Sequence, residues 1–377
     1  MPSRVSLRAI ALTFLKIGAV GFGGGVGMLA LLRQEVVEKR KWVDDNDLST
    51  AVAMGQMLPG PFVSNYAEFI GYRLAGIKGM AVSVVSLLLP GFILILLLGF
   101  LYLRYGELTA VQKSFTGIQP IVAAIVARAT LEIGKGSVRD WRTGLIALFS
   151  AVAFFLRGDV LMVILTCGAL GILLFNTCRC KTCFTILPLC IMPTVYNLVP
   201  TLPALVPKAL ELALVFFKMG TVIFGGGFAA IPFLQHEVVE LRGWLTIREF
   251  TLAVALGQLT PGPVAIMSAF IGYRVLGISG ALIATVGTFL PSALMLLWLI
   301  NLYEKIRSNR FVKAFLAGVL PGVVGMLFFS TVLLTHSAIT SFVLAVIGIC
   351  AFVLLWRFHV EPVYLILIGA LLGLSLS

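Results

Sequence analysis

One stretch of this chain occurs twice, and that repeat limits the possible folds more than any other feature. The first copy runs from Lys16 to Pro90. It carries Lys16-Ile-Gly, Phe22-Gly23-Gly24-Gly25, Glu35-Val-Val-Glu with Trp42, Gly55-Gln56, Pro59-Gly60-Pro61 and Phe69-Ile-Gly-Tyr72-Arg73. The second copy runs from Lys218 to Pro291 and keeps the order: Lys218-Met-Gly, Phe224-Gly225-Gly226-Gly227, Glu237-Val-Val-Glu with Trp244, Gly257-Gln258, Pro261-Gly262-Pro263 and Phe270-Ile-Gly-Tyr273-Arg274. The register holds as far as Pro-Gly-Pro, then loses one residue before Phe-Ile-Gly-Tyr-Arg. Two homologous halves are expected, 1–177 and 208–377, joined by a proline-bearing linker over 178–207.

The halves are apolar enough to live in lipid. Of 377 residues, 60% are hydrophobic and only 12% charged, against about 25% charged in a soluble domain. Several apolar runs reach the ~20 residues that a bilayer crossing needs. An all-α polytopic membrane protein follows. No cleavable signal peptide is evident, because the first apolar run leads into Lys16 and glycines rather than a small-residue cleavage site. The net charge of +12 fits basic loops facing the cytoplasm and anionic lipid. Nucleic acid is not an expected partner, since no basic run is interleaved with aromatic stacking platforms.

Within each copy the chain is broken at membrane depth. The capping box Thr246-Ile-Arg-Glu249 starts a helix near 247–249, and Asp44 caps its counterpart in the first half. Each helix meets Pro-Gly-Pro after about 11 residues, ~16 Å, half a bilayer. Proline ends a helix and pushes the residue before it out of the helical region. A second half-helix then begins at Pro61 or Pro263. The Pro-Gly-Pro segments are therefore read as broken helices, re-entrant or fully crossing, and the halves as inverted-topology repeats on either count. Inversion places Gln34 and His236 on opposite sides of the membrane. Further membrane segments are expected over 79–103, 111–133, 141–157 and 159–176, with counterparts in the second half.

Irregular backbone at membrane depth is tolerated only beside protein or a watery cavity. Paired broken helices at matching places in two repeats point to a transporter site. A half-helix N-terminus offers unpaired N–H groups and a positive dipole end, which attract anions. Cations recur at Lys16, Arg73, Lys218 and Arg274. The expected substrate-binding set is therefore Lys16, Gly23, Gly24, Gly25, Gln56, Pro59, Gly60, Pro61, Ser64, Asn65, Tyr72 and Arg73. Its second-half part is Lys218, Gly225, Gly226, Gly227, Gln258, Pro261, Gly262, Pro263 and Arg274. Glu35 and Glu237 are read as gate or coupling carboxylates. The first half is expected to make most substrate contacts, because Ser64 and Asn65 offer donors where the second half has Ile266 and Met267. A bland reading stands beside each: lysines snorkel, arginines meet headgroups, glycines pack helices closely.

Classical catalysis has little to work with. His236, His336 and His359 are scattered, and no nucleophile elbow, zinc motif or P-loop is present. No enzyme activity, cofactor or resident metal is expected. Cys178, Cys180 and Cys183 cluster in a polar stretch, but a closed structural metal site usually has four ligands.

These motifs resemble those of the chromate ion transporter family, in its two-domain bacterial form, and the resemblance covers both halves. It implies a multi-pass protein of the bacterial inner membrane that carries chromate, with sulfate as a similar oxyanion. Secondary transport is implied, as efflux driven by the proton-motive force and giving chromate resistance. A sulfate carrier and a passive anion channel are the alternatives, and protons as coupling ion and a homodimer are both left open. The family usually has a proline shortly after the glycines; Pro232 keeps it, whereas the first half has Ala30.

Overall fold

The computed structural model describes residues 5–22, 24–175, 207–300 and 309–375, without the side chains of 24–26. The linker after 175 and its cysteine cluster lie outside the described residues. In the first half the helices are α1 (Leu7–Val20), α2 (Gly24–Arg33), α3 (Asp45–Met57), α4 (Phe62–Tyr105), α5 (Thr109–Ser137), α6 (Trp141–Phe155) and α7 (Val160–Phe175). The second half supplies α8 (Lys208–Val222), α9 (Ala230–Leu234), α10 (Ile247–Leu259), α11 (Met267–Leu299), α12 (Arg310–Ala338), α13 (Phe342–Arg357) and α14 (Pro362–Ser375). No strand occurs among the described residues. Among the described residues four helices, α4, α5, α11 (with the short turn before it) and α12, are long and apolar enough to cross a membrane.

Each half begins with two helical hairpins. In the first hairpin of the second half, α8 enters and the chain breaks over 223–226. It then returns through α9 and a π-helical extension, Gln235–Leu241. Contacts at the open end fix this return: Arg242 donates to Glu211 at 3.0 Å, and Lys208 lies 4.9 Å from the Trp244 ring. The first half does the same through α1, α2 and the extension Gln34–Lys39, with Lys16 and Glu35 in contact. The charged stretch after Arg33 thus continues the helix for another turn before the chain bends.

The second hairpin joins α3 to the start of α4 through Pro59-Gly60-Pro61. Asp44 caps α3 by accepting from Asp47 N–H at 2.7 Å, and Thr246 forms the full capping box of α10. At the tips Gly60 and Gly262 have φ of 115° and 112°, a region open essentially to glycine. The open ends are clamped by equivalent ion pairs, Arg73–Asp47 at 2.7 Å and Arg274–Glu249 at 2.9 Å. Just beyond, α4 turns back sharply at Gly76 (φ 65°) and α11 at Gly277 (φ 61°). The returning helix packs so closely that a Cβ on Gly71 would strike Ser83 and Gly79, and one on Gly272 would strike Gly280 and Ala284.

The two hairpin pairs sit at opposite ends of the molecule. The first hairpin base lies where the long arm of α4 starts, at residue 77. A Cβ on Gly99, further along that arm, would lie 3.3 Å from Phe270 and 3.2 Å from Tyr273, beside the second hairpin base. Arg248 also reaches the start of α5, donating to Gln112 C=O at 3.1 Å. From 77 to 99 the helix rises ~33 Å, a bilayer thickness. The long arms of α4 and α11 therefore run antiparallel, as an inverted repeat requires. The later helices are exchanged between halves: α6 and α7 pack on α12, and α13 and α14 on α5. Ser150 Oγ, for instance, donates to the Gly322 carbonyl at 2.5 Å.

His236 is buried, so Leu241, 58% exposed, is the better labelling site in the second half. Lys41 is exposed in the equivalent stretch of the first half, so Lys41→Cys and Leu241→Cys should react with an impermeant thiol reagent from opposite membrane sides. Labelling from one side would contradict the inversion.

Candidate functional site

Four backbone irregularities converge where the halves cross. The tip of each Pro-Gly-Pro reaches the break in the opposite half. Gly60 N–H donates to the Ile223 carbonyl at 2.7 Å, and Gly262 N–H donates to the Gly21 carbonyl at 2.9 Å. These bonds are mates under the repeat: Gly262 stands to Gly60 as Ile223 stands to Gly21. Each fills a donor that the turn exposes and an acceptor that the helix break exposes, so neither hairpin tip is complete without the other half. The second-half glycines wedge between both tips. A Cβ on Gly226 would lie 3.2 Å from the Phe62 ring, and one on Gly227 would lie 3.1 Å from the Ala265 nitrogen. Gly23 lies outside the described residues; Gly24 and Gly25 open α2.

Around this junction, Pro59, Gly60, Pro61, Pro261, Gly262 and Pro263 are all buried. The N-terminus of α4 is aimed at the junction, with Pro61 as its cap residue. The first N–H groups of such a helix have no partner within it. Ser64 and Asn65 are buried, but their donors are partly engaged. Ser64 Oγ donates to the Pro61 carbonyl at 2.7 Å, and Asn65 Nδ2 to the Gly55 carbonyl at 3.2 Å. They staple the tip, a local competition usual for these side chains. Gln258 Nε2 is buried without a partner among the described residues, while Gln56 is exposed.

The cations do not gather at the tips. Arg73 and Arg274 stand at the hairpin bases; Arg73 is twelve residues from Pro61, ~18 Å along the helix, and Tyr72 is beside it. Lys16 and Lys218 lie five residues before their breaks and are held by carboxylates. Lys16 donates to Glu35 at 2.8 Å, and Lys39 donates to the same oxygen at 2.9 Å. Lys218 donates to Glu237 at 3.0 Å and to Asp159, from the loop before α7, at 2.9 Å. Arg242 also pairs with Glu237. The second cluster is the more buried: the lysine side chains are 56% and 29% exposed, respectively. At the open ends of the hairpins, Lys16 first and Lys39 second hold the Glu35 carboxyl below its ordinary range. For Glu249, burial pushes the carboxyl up, but the Thr246 N–H and hydroxyl and Arg274 together hold it below its ordinary value.

One residue outside the expected set stands out. Glu68, in α4 one turn beyond Asn65, is fully buried. Its Oε1 lies 3.0 Å from Ser292 Oγ of α11 in the other half, and its Oε2 has no partner among the described residues. Its repeat counterpart is Ala269, and Ser292 corresponds to Gly91, so this contact exists once. A carboxylate among otherwise apolar membrane residues was the available signal in the sequence.

Among the described residues no group of His, Cys, Asp or Glu could hold a metal ion.

Comparison with known proteins identifies the lineage. The family model described as chromate transporter matches residues 8–172 and 210–374, one copy per half. A chromate transport protein of Cupriavidus metallidurans is 31% identical, covering 98% of this chain and 93% of its own. An uncharacterised transporter of Methanocaldococcus jannaschii is 30% identical over 97% of this chain and 93% of its own. The uncharacterised transporter YwrA of Bacillus subtilis is 31% identical over 44% of this chain and 95% of its own. No solved structure matches.

Proposed function

The chain belongs to the chromate transporter family, and we propose that it is a secondary transporter that exports chromate under the proton-motive force. It is a multi-pass membrane protein, and the bacterial inner membrane fits its family. The observation that carries the proposal is the reciprocal junction of Gly60 with Ile223 and Gly262 with Gly21. Backbone dipoles and helix N-termini gathered there suit an oxyanion, which charge-assisted hydrogen bonds would hold. The hairpins are re-entrant in this reading, and their tips meet at mid-depth. Because each tip is hydrogen-bonded to the opposite half, movement of one hairpin exposes the junction to one side only. That is what alternating access about a fixed site requires.

Lys16 and Lys218 supply the nearest positive charge, and release from Glu35 or Glu237 would let each turn toward the anion. The base pairs Arg73–Asp47 and Arg274–Glu249 hold the hairpin legs together. Asn65, with an N–H to spare, makes the first-half tip the main contact surface. The carrier performs no covalent step, and sulfate is the competing oxyanion.

Purified protein in proteoliposomes tests this directly. Chromate should accumulate against its gradient when a pH gradient is imposed, and sulfate should compete. Flux that only ever runs downhill would replace the carrier with a channel, and absence of chromate flux would end the substrate assignment.

A further inference from the structure

Ser292 makes two contacts with one proton. Its Oγ lies 2.9 Å from the Phe289 carbonyl and 3.0 Å from Glu68 Oε1. A carbonyl can only accept, so if the hydroxyl donates back along its own helix the contact to Glu68 needs a proton from the carboxyl. If Glu68 is ionised, the hydroxyl must leave Phe289 and donate to Oε1. The pair is thus a two-state hydrogen bond set by one proton.

The surroundings favour the protonated state. Glu68, Asn65 and Ser292 are all fully buried, and none of the ion pairs among the described residues includes Glu68. The titratable groups on the packed elements lie elsewhere. On α4 they are Tyr66, Tyr72, Arg73, Lys78, Tyr102, Arg104 and Tyr105; on α3, Asp45 and Asp47; on α1, Arg8 and Lys16; on α2, Arg33; on α10, Arg248 and Glu249; on α11, Tyr273 and Arg274. None of them is hydrogen-bonded to Glu68. An unpaired carboxylate at this depth is costly, and a neutral acid avoids that cost. Two acceptors, Asn65 Oδ1 and Glu68 Oε2, stand three residues apart on one face of α4, without a partner among the described residues. The Gly60 tip closes over them: a Cβ there would lie 2.8 Å from Ser292 Cβ and 3.1 Å from Asn65 Oδ1.

We infer that Glu68 is a proton-binding site between the two halves, protonated while the first hairpin is seated on α11 and ionised when it moves away. An O–H bond forms on the carboxyl as one breaks in hydronium from one side, and the proton returns to water on the other. Since Ala269 and Gly91 replace the pair in the repeat, each chain carries one such site. The inference rests on the transporter reading and gives its coupling ion a place.

Two measurements test it. In proteoliposomes, Glu68→Gln should lower pH-driven chromate accumulation about tenfold while chromate–chromate exchange stays within about twofold. Glu68→Asp should restore accumulation. In infrared spectra of the purified protein, without chromate, the wild type should show a protonated carboxyl band that Glu68→Gln removes. Ser292→Ala, which keeps the acid but takes away its partner, should shift that band. Undiminished accumulation in Glu68→Gln would overturn the inference. So would a spectrum lacking the band, or a band indifferent to Ser292→Ala. If the wild type moves no chromate at all, the transport assignment fails, and the infrared result alone decides Glu68.

Discussion

Lys218→Met should sharply reduce the amount of folded protein, whereas Lys16→Met should leave it close to wild type. The two lysines are repeat equivalents, yet their surroundings differ. Lys218 Nζ bridges Asp159 and Glu237, whose side chains are only 9% and 4% exposed. Glu237 keeps Arg242 when the lysine is lost, but Asp159 Oδ2 is left buried without a cation. Removing one partner of a buried pair costs about 3–5 kcal/mol, a large part of a protein's stability. The loss also unties the halves, since Asp159 belongs to the first and Lys218 to the second. Lys16 is half exposed, and Glu35 keeps Lys39; a pair of that kind is worth about 0–1 kcal/mol. Monodisperse yield and melting temperature in detergent would measure the contrast. Adding Asp159→Asn to Lys218→Met should recover part of the loss. Equal yields for the two single variants would show that the second cluster does not hold the halves together.

Gly60→Ala should cut transport about tenfold or more, and Gly262→Ala much less. Both glycines have φ near 115°, so alanine is strained at either tip by about 1–3 kcal/mol. Only Gly60 is also crowded. Its new methyl would meet Ser292 Cβ at 2.8 Å, whereas none of the described residues lies within 4 Å of one at Gly262. Ser292 is on α11, so relief of the clash must shift one half against the other and weaken the Gly60–Ile223 bond. Chromate flux at matched expression reads the difference. Equal losses would mean that strain at the turn, not contact between the halves, sets the effect.

What was legible in the sequence is what proline and glycine dictate locally. The Pro-Gly-Pro breaks, the caps at Asp44 and Thr246, the half-helix lengths and the two homologous halves follow from backbone chemistry within a few residues. Gly76 and Gly277 then add the sharp turns that let the hairpins lie against the long helices. The reciprocal bonds at the junction were not legible, because Gly60 and Ile223 lie far apart in the chain and meet through backbone atoms that any residue carries. The place of the arginines was not legible for a related reason. Recurrence beside a motif placed Arg73 and Arg274 in one constellation with the tips, although three helical turns separate them from it. Ser64 and Asn65 read as free donors, but short polar side chains near a helix start bind their own backbone first. Glu68 was not legible in the same way, because recurrence in both copies is what marks the other residues, and Glu68 is present in one.

The central claim is that the oxyanion binds where the two tips meet the opposing breaks. The most direct test is a crystal of the protein with chromate, measured at the chromium absorption edge. The anomalous peak should fall between the N-terminus of α4 and Gly225–Gly227, with chromate oxygens within hydrogen-bond range of the Phe62 and Val63 N–H groups. A peak at the hairpin bases, beside Arg73 or Arg274, would contradict the account.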